Sequence, residues 1–159
     1  TAATATGITI NNNKELLSDF TVWAVNAQAK PWLANTELSC NKDGFIDVDS
    51  NLRSTSHRNV FASGDTINFV SQTLPKAGVY AVRQGPILSN NIRALTNPAS
   101  AKLLIYKPQQ QFLSLLTTGG KHAILSRDAL CLSGKWVWRW KNKIDSNFVN
   151  RFNPPNKVN

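Results

Sequence analysis

The run Asn59-Val60-Phe61-Ala62-Ser63-Gly64-Asp65-Thr66 constrains this chain more than any other stretch. Val60-Phe61-Ala62 predicts a short buried strand of a parallel sheet, with Arg58-Asn59 as turn residues before it and Gly64 as a break after it. Glycine lets the main chain come close to a ligand. A carboxylate directly after it, at the carboxyl end of a strand, lies at the edge where open α/β sheets hold their ligands. There Asp65 can accept hydrogen bonds from sugar-like hydroxyls. Taken alone, Gly64-Asp65 more often marks a plain turn, because both residues are frequent in turns.

The neighbouring segments change that balance. Gly44-Phe45-Ile46-Asp47-Val48-Asp49 alternates like a strand, and Leu52-Arg53-Ser54-Thr55-Ser56 follows it. Eleven residues after Asp65 comes Lys76-Ala77-Gly78-Val79-Tyr80-Ala81-Val82-Arg83-Gln84-Gly85-Pro86. The segment after Pro75 predicts a helix over 76–95, with Ala81, Leu88, Ile92 and Leu95 as its buried stripe. Its first turn would concentrate unpaired N–H groups and positive potential. Pro86 inside it removes one N–H and should kink the helix, at a cost of ~3 kcal/mol unless neighbours compensate.

Together these segments resemble the C-terminal part of FAD-dependent pyridine nucleotide-disulphide oxidoreductases. They are most similar to the type II NADH dehydrogenase-like flavoproteins, including those fused to a selenide, water dikinase. The resemblance runs from about Leu17 to Phe152. It implies a cofactor-binding set of Gly64, Asp65, Lys76, Ala77, Gly78 and Val79. In that set Asp65 meets the ribityl chain of FAD, Gly64 permits the approach, and the amides of Ala77, Gly78 and Val79 face the flavin ring. It also implies NAD(P)H as the substrate of the full-length protein, with hydride passing to flavin and electrons to a quinone-like or unknown acceptor. The cofactor carries such chemistry, so no side chain here is expected to be a catalytic acid, base or nucleophile. Asp19 to Ala27 is similar to the family's strand running into the crossover near the two dinucleotides. The family usually has Thr-Gly where this chain has Val25-Asn26, and Val22, Trp23 and Val25 are expected in the core.

Length and composition set limits. A chain of 159 residues with 42% hydrophobic content can bury a core as one or two small units. A dinucleotide site of this class needs a Gly-x-Gly-x-x-Gly turn for the pyrophosphate, and the sequence contains none, Gly7 and Gly119-Gly120 being isolated. The chain has no methionine and opens on Thr-Ala-Ala-Thr-Ala-Thr. The expectation is therefore a C-terminal fragment, inactive alone, whose first partner is the N-terminal part of the same protein. Cys40 and Cys131 lack the Cys-x-x-Cys spacing of a redox pair, and His57 and His122 have no partner at metal spacing, so neither a dithiol nor a metal site is expected. With no run of about 18 apolar residues and few cysteines, the expected location is cytoplasmic.

Charge divides the chain. Residues 1–100 hold eight Lys/Arg against seven Asp/Glu, whereas residues 101–159 hold ten against two. The change falls near Asn97-Pro98-Ala99-Ser100, which predicts a boundary. The fold expected is α/β, passing to α+β in the C-terminal part. It divides into the end of an NAD(P)H-binding domain (1–30), the C-terminal part of a FAD-binding domain (31–97), an interface domain (98–152) and a tail (153–159). In the interface domain, residues 103–106, 112–116 and 122–126 predict strands with a turn at Gly119-Gly120. Residues 134–140 predict another strand before Trp140, Ile144, Phe148 and Phe152 fall on one helical face. A small antiparallel sheet with a terminal helix is also what the resemblance implies, and it would serve a homo-oligomer interface, the quinone side or peripheral membrane attachment.

Three readings of the aromatic and basic C-terminal residues stay open. A packing stripe with a solvated basic face is favoured. A partner surface or an anionic membrane surface comes second, and single-stranded nucleic acid last. Asn153-Pro154-Pro155-Asn156-Lys157 resembles a linker of the kind that precedes the kinase-like half in fused family members, and none of that half's catalytic residues is present. The alternative to an oxidoreductase part is a non-catalytic basic and aromatic interaction module that keeps a flavoprotein-like fold.

Overall fold

The computed structural model describes residues 2–4, 6–10, 14–99 and 101–153. The chain divides into two compact units, Thr1–Tyr106 and Lys107–Asn159. The described residues form an α+β arrangement of short strands and two long helices.

In the first unit, β1 (Ala2–Ala3), β2 (Gly7–Ile10) and β3 (Lys14–Leu17) form an antiparallel sheet in the order β1-β2-β3. A 3-10 turn at Pro31–Asn35 follows and buries Leu33. The core of the unit is built on β4 (Ile46–Val48) and β5 (Ile67–Phe69), which pair in parallel with Ile46 opposite Ile67 and Val48 opposite Phe69. Both strands bury their outer residues and leave the middle one half-covered, as a period of two requires.

Side-chain carbonyl oxygens shape the loops around this pair. The Asn41 amide oxygen accepts from the N–H groups of Asp43 and Phe45, and the Asp49 carboxylate accepts from those of Asn51 and Arg53. These are Asx turns, in which a short polar side chain replaces a backbone acceptor. The second one holds Leu52 at φ 60° with its side chain fully buried. A leucine adopts this left-handed conformation at a cost of roughly 1–2 kcal/mol, which the burial of its side chain offsets.

Helix α1 (Gly78–Thr96) contains Pro86 as predicted, but its inner face is not the predicted apolar stripe. Tyr80, Gln84, Asn91 and Ala94 are buried, Ala81 and Leu88 are half-buried, and Ile92 and Leu95 are exposed. Two of the four inward residues carry amides that bond the loops. Asn91 donates to the carbonyls of Asn51 (2.8 Å) and Leu104 (2.9 Å) and accepts from the Leu104 N–H (2.7 Å). Asn90 donates to the Lys102 carbonyl, and the Tyr106 N–H donates to the Ser50 carbonyl. Residues 103–106 therefore do not form the predicted strand, because helix and loop amides take up their backbone groups. They remain with the first compact unit, which ends at Tyr106.

Two further expectations are corrected. Val60-Phe61-Ala62 forms only an isolated bridge, Phe61 to Arg53, because Val60 and Ala62 bond the irregular segment 52–54 instead of β4. The strand that pairs with β4 is Ile67–Phe69, so Gly64-Asp65 precedes its strand rather than following one. Asp19 to Ala27 is irregular, and Val22, Trp23 and Val25 are more than half exposed, because no described element pairs with their backbone or covers them.

The second unit is a meander of β6 (Ser114–Gly119), β7 (His122–Arg127) and β8 (Leu130–Gly134), closed by α2 (Lys135–Asn150). Ala123, Leu125 and Val137 are its buried centre, with Leu113, Leu115 and Trp138 against them. Residues 135–140 belong to the helix and not to a strand. Gly134, at φ 146°, ends β8 and turns the chain, so the alternation of Trp136, Trp138 and Trp140 is incidental. Trp140, Ile144 and Phe148 do share a helical face and are exposed, whereas Phe152 lies past the helix end at Asn150, exposed, with its ring 5.1 Å from that of Phe148. Of the predicted linker, Pro154–Lys157 lie outside the described residues. Among the described residues no helix is long and apolar enough to cross a membrane.

Replacing Asn91 with Leu should lower the stability of the first unit by about 3 kcal/mol or more, since it leaves buried backbone groups at residues 51 and 104 without partners. Urea titration followed by amide resonances of residues 46–69 measures it. Val137→Ala should cost the second unit about 2 kcal/mol and spare the first, through the cavity it opens against Ala123 and Leu125. The resonances of β7 report that loss.

Candidate functional site

The Gly64-Asp65-Thr66 run folds as a 3-10 turn that feeds β5. Gly64 stands at φ 74°, which a side chain would strain. Its N–H donates to the Gln84 side-chain oxygen at 2.6 Å, so the turn is tied directly to the buried face of α1. Gln84 is itself 1% exposed. Asp65 is left exposed on the far side of this anchor.

A cavity of about 130 Å3 opens beside the turn. Gly64, Asp65, Lys76, Phe45, Tyr80 and Gln84 are among its walls, with Asp43, Asn68 and the segment Thr73–Pro75 at its rim. Lys76 reaches across it. Its ammonium donates to the Ile67 carbonyl and lies 3.7 Å from the centroid of the Phe45 ring, a cation–π arrangement. Burial lowers its pKa below the ordinary lysine value, and the carboxylates of Asp65 and Asp43 oppose that shift. Asn68 donates to the Asp47 carboxylate at 2.7 Å, which fixes the rim residue between the cavity and β4.

The predicted site residues divide into two sets. Gly64, Asp65 and Lys76 meet at the cavity. Ala77, Gly78 and Val79 follow in the chain but do not line it; they form the N-cap and first turn of α1. That end has no side-chain cap and no acidic residue, so the first N–H groups and their partial positive charge stay available. Phe45, Tyr80 and Gln84 also line the cavity, although none of them was expected there from the sequence. The signal for two of them was present, since Tyr80 and Gln84 are one helical turn apart on the face toward Gly64.

Chemically, the cavity offers two exposed carboxylates, Asp65 and Asp43, as acceptors, one desolvated ammonium as a donor and an aromatic wall. A ligand with hydroxyls for Asp65 and a polarisable or anionic edge for Lys76 and the α1 N-terminus matches that set. The cavity is small for a large cofactor, and the Lys76 side chain is one of its walls.

A search of the curated proteins found no match. The family model for pyridine nucleotide-disulphide oxidoreductases matches residues 2–85, more than half the chain, and includes every residue of the predicted cofactor set. With the turn, the cavity and the start of α1 all inside that span, this chain belongs to the pyridine nucleotide-disulphide oxidoreductase family.

Proposed function

We propose that this chain is the flavin-side and C-terminal part of a FAD-dependent NAD(P)H oxidoreductase of the type II NADH dehydrogenase-like group, the flavoprotein type also found fused to a selenide, water dikinase. The family membership supports an oxidoreductase using a pyridine nucleotide. The observation that carries the finer reading is the meeting of Gly64, Asp65 and Lys76 at one cavity beside an uncapped helix start.

In this reading Asp65 accepts from ribityl hydroxyls and the Gly64 turn brings the backbone close. Gln84 holds that turn in place by its bond to the Gly64 N–H. Lys76 and the first amides of α1 present positive charge to the electron-accepting edge of the ring. Flavin, when bound, accepts hydride from the nicotinamide and passes electrons on. Lys76 would have to leave the Ile67 carbonyl and the Phe45 ring to make room, and its four-carbon stem permits that movement without moving the backbone. The sequence has no glycine-rich turn for the pyrophosphate, so the proposal gives this chain only the flavin-facing half of the cofactor site.

Under the same proposal, residues 1–30 end the NAD(P)H-binding domain, 31–97 complete the FAD-binding domain and 98–152 serve an interface. The electron acceptor would then be quinone-like or of a class not yet identified.

Riboflavin tests this reading, because it carries the ring and the ribityl chain without phosphate or adenosine. Added to the chain, it should shift the amide resonances of Gly64, Asp65 and residues 77–79 in a weak but saturable manner. Asp65→Ala should weaken that binding about tenfold or more, as the loss of hydrogen bonds to a charged acceptor predicts, with the fold unchanged by circular dichroism. Equal affinity in the variant would remove Asp65 from the site. The absence of any shift at these residues sinks the flavin reading.

A further inference from the structure

A second cavity, of about 220 Å3, lies wholly within the second unit. Gly120 and Lys121 of the β6–β7 turn form one wall, and Lys135, Trp138 and Arg139 of the first two turns of α2 form the other. We infer that this cleft is a binding site for a phosphate group carried on a small organic body, distinct from the flavin-side cavity and independent of it.

Three observations carry the inference. The first is uncompensated charge. Lys121, Lys135 and Arg139 converge on one cavity, and none of them forms an ion pair among the described residues. Residues 107–153 contain only two carboxylates, Asp128 and Asp145, and Asp145 is paired with Lys141. Like charges drawn together around a concave surface repel one another, and an anion placed between them removes that repulsion. Helix α2 sharpens the point, since it opens on Lys135 with no acidic residue in its first turn, the sign that a helix dipole disfavours there.

The second observation is strain. β6 and β7 are joined by the two-residue turn Gly120-Lys121, and both residues have φ 55°. Positive φ at both central residues is the pattern of a type I′ hairpin turn, in which Asn and Gly are the residues of low cost. Lysine there costs roughly 1–2 kcal/mol. Such strain is tolerated where the surrounding structure over-determines it, and it recurs at ligand-binding sites. Here the consequence is that the Lys121 ammonium is carried over the Trp138 ring, 5.9 Å from its centroid.

The third is the chemistry of the walls. An arginine supplies a planar fork that fits two phosphate oxygens, and two lysines supply point charges around it. The half-buried Trp138 indole gives an apolar wall beside these cations, suited to the organic body of an ester rather than to a bare ion. The phosphate can belong to a soluble ester or to a lipid headgroup, since both present the same oxygens. The exposed Trp136 and Trp140 on the same helix are available to acyl chains only in the second case.

The test uses the whole chain with three probes: inorganic phosphate, glycerol 3-phosphate, and phosphatidylcholine vesicles with or without phosphatidic acid. Calorimetry gives affinity and the Trp138 indole resonance gives location. Saturable binding that shifts Trp138 is expected, and glycerol 3-phosphate should bind more tightly than inorganic phosphate. Binding to vesicles alone, dependent on phosphatidic acid, assigns the phosphate to a lipid; binding to the soluble ester assigns it to a metabolite-sized ligand. The double substitution Lys121→Asn with Arg139→Gln should weaken binding about tenfold or more. Lys121→Asn alone should leave the thermal midpoint unchanged or raise it, because asparagine relieves the turn. The control, Lys143→Gln with Arg151→Gln, removes the same charge outside the cleft and should change affinity by less than about twofold. Equal loss in the two double variants would falsify the site in favour of diffuse attraction, and so would the failure of all three probes to bind. Riboflavin carries no phosphate, so failure of the flavin reading and failure of this one are separate results.

Discussion

The inner face of α1 is where the first unit is decided, and it is held by amides rather than by hydrocarbon. Gln84 fixes the Gly64 turn, and Asn91 fixes residues 51 and 104 with three bonds. Buried amides of this kind contribute little net free energy when satisfied and cost several kcal/mol when broken. They therefore specify position more than they add stability. An apolar stripe could slide by a turn and still bury its surface; an amide with three short bonds cannot. The consequence is functional, because the residue Gln84 positions is the glycine that sets Asp65 at the rim of the cavity.

This explains which parts of the fold were legible in the sequence. α1 itself was readable from Pro75 and the spacing after it, and β4 from its alternation. The antiparallel hairpin of β6 and β7 was readable from Gly119-Gly120. The inner face of α1 was not, since periodicity arguments weigh apolar residues and pass over Gln84 and Asn91. The strand at 60–62 failed for a related reason. Its apolar run is real, but its hydrogen bonds go to residues 52–54, where the Asp49 turn has already bent the chain. Local pattern gives the tendency of a segment, whereas the partner that accepts its N–H groups is a non-local fact.

The tryptophans of α2 show the opposite failure. Trp136, Trp138 and Trp140 alternate because indoles occur at every second position, and alternation is the signature of a strand. Gly134 overrides it. At φ 146° it ends β8 and lets a helix begin at Lys135, after which Val137 faces the sheet and Trp136 and Trp140 face away from it. Gly64, Asp65 and Lys76, named together through a family resemblance, line one cavity in the fold. The basic cleft had no such signal, because it joins a hairpin turn to a helix start fourteen residues later, and the turn's lysine looks ordinary until its φ is known.

The two cavities embody different electrostatic solutions. At the first, a single ammonium sits half-buried against a carbonyl and an aromatic face, where desolvation outweighs the attraction of the Asp65 and Asp43 carboxylates, so its contacts are already made before any ligand arrives. A ligand there must replace existing contacts, and affinity has to come from shape and hydrogen bonding as much as from charge. At the second, three cations without ion-pair partners among the described residues surround a concave surface, so most of the available free energy is electrostatic. Screening separates the two, since exposed charges lose most of their attraction over a Debye length of about 8 Å at physiological salt, and half-buried ones lose less. Binding at the cleft should accordingly fall steeply with ionic strength, while binding at the Lys76 cavity should hardly respond. Moderate salt is then enough to isolate the second site's contribution in a chain that carries both.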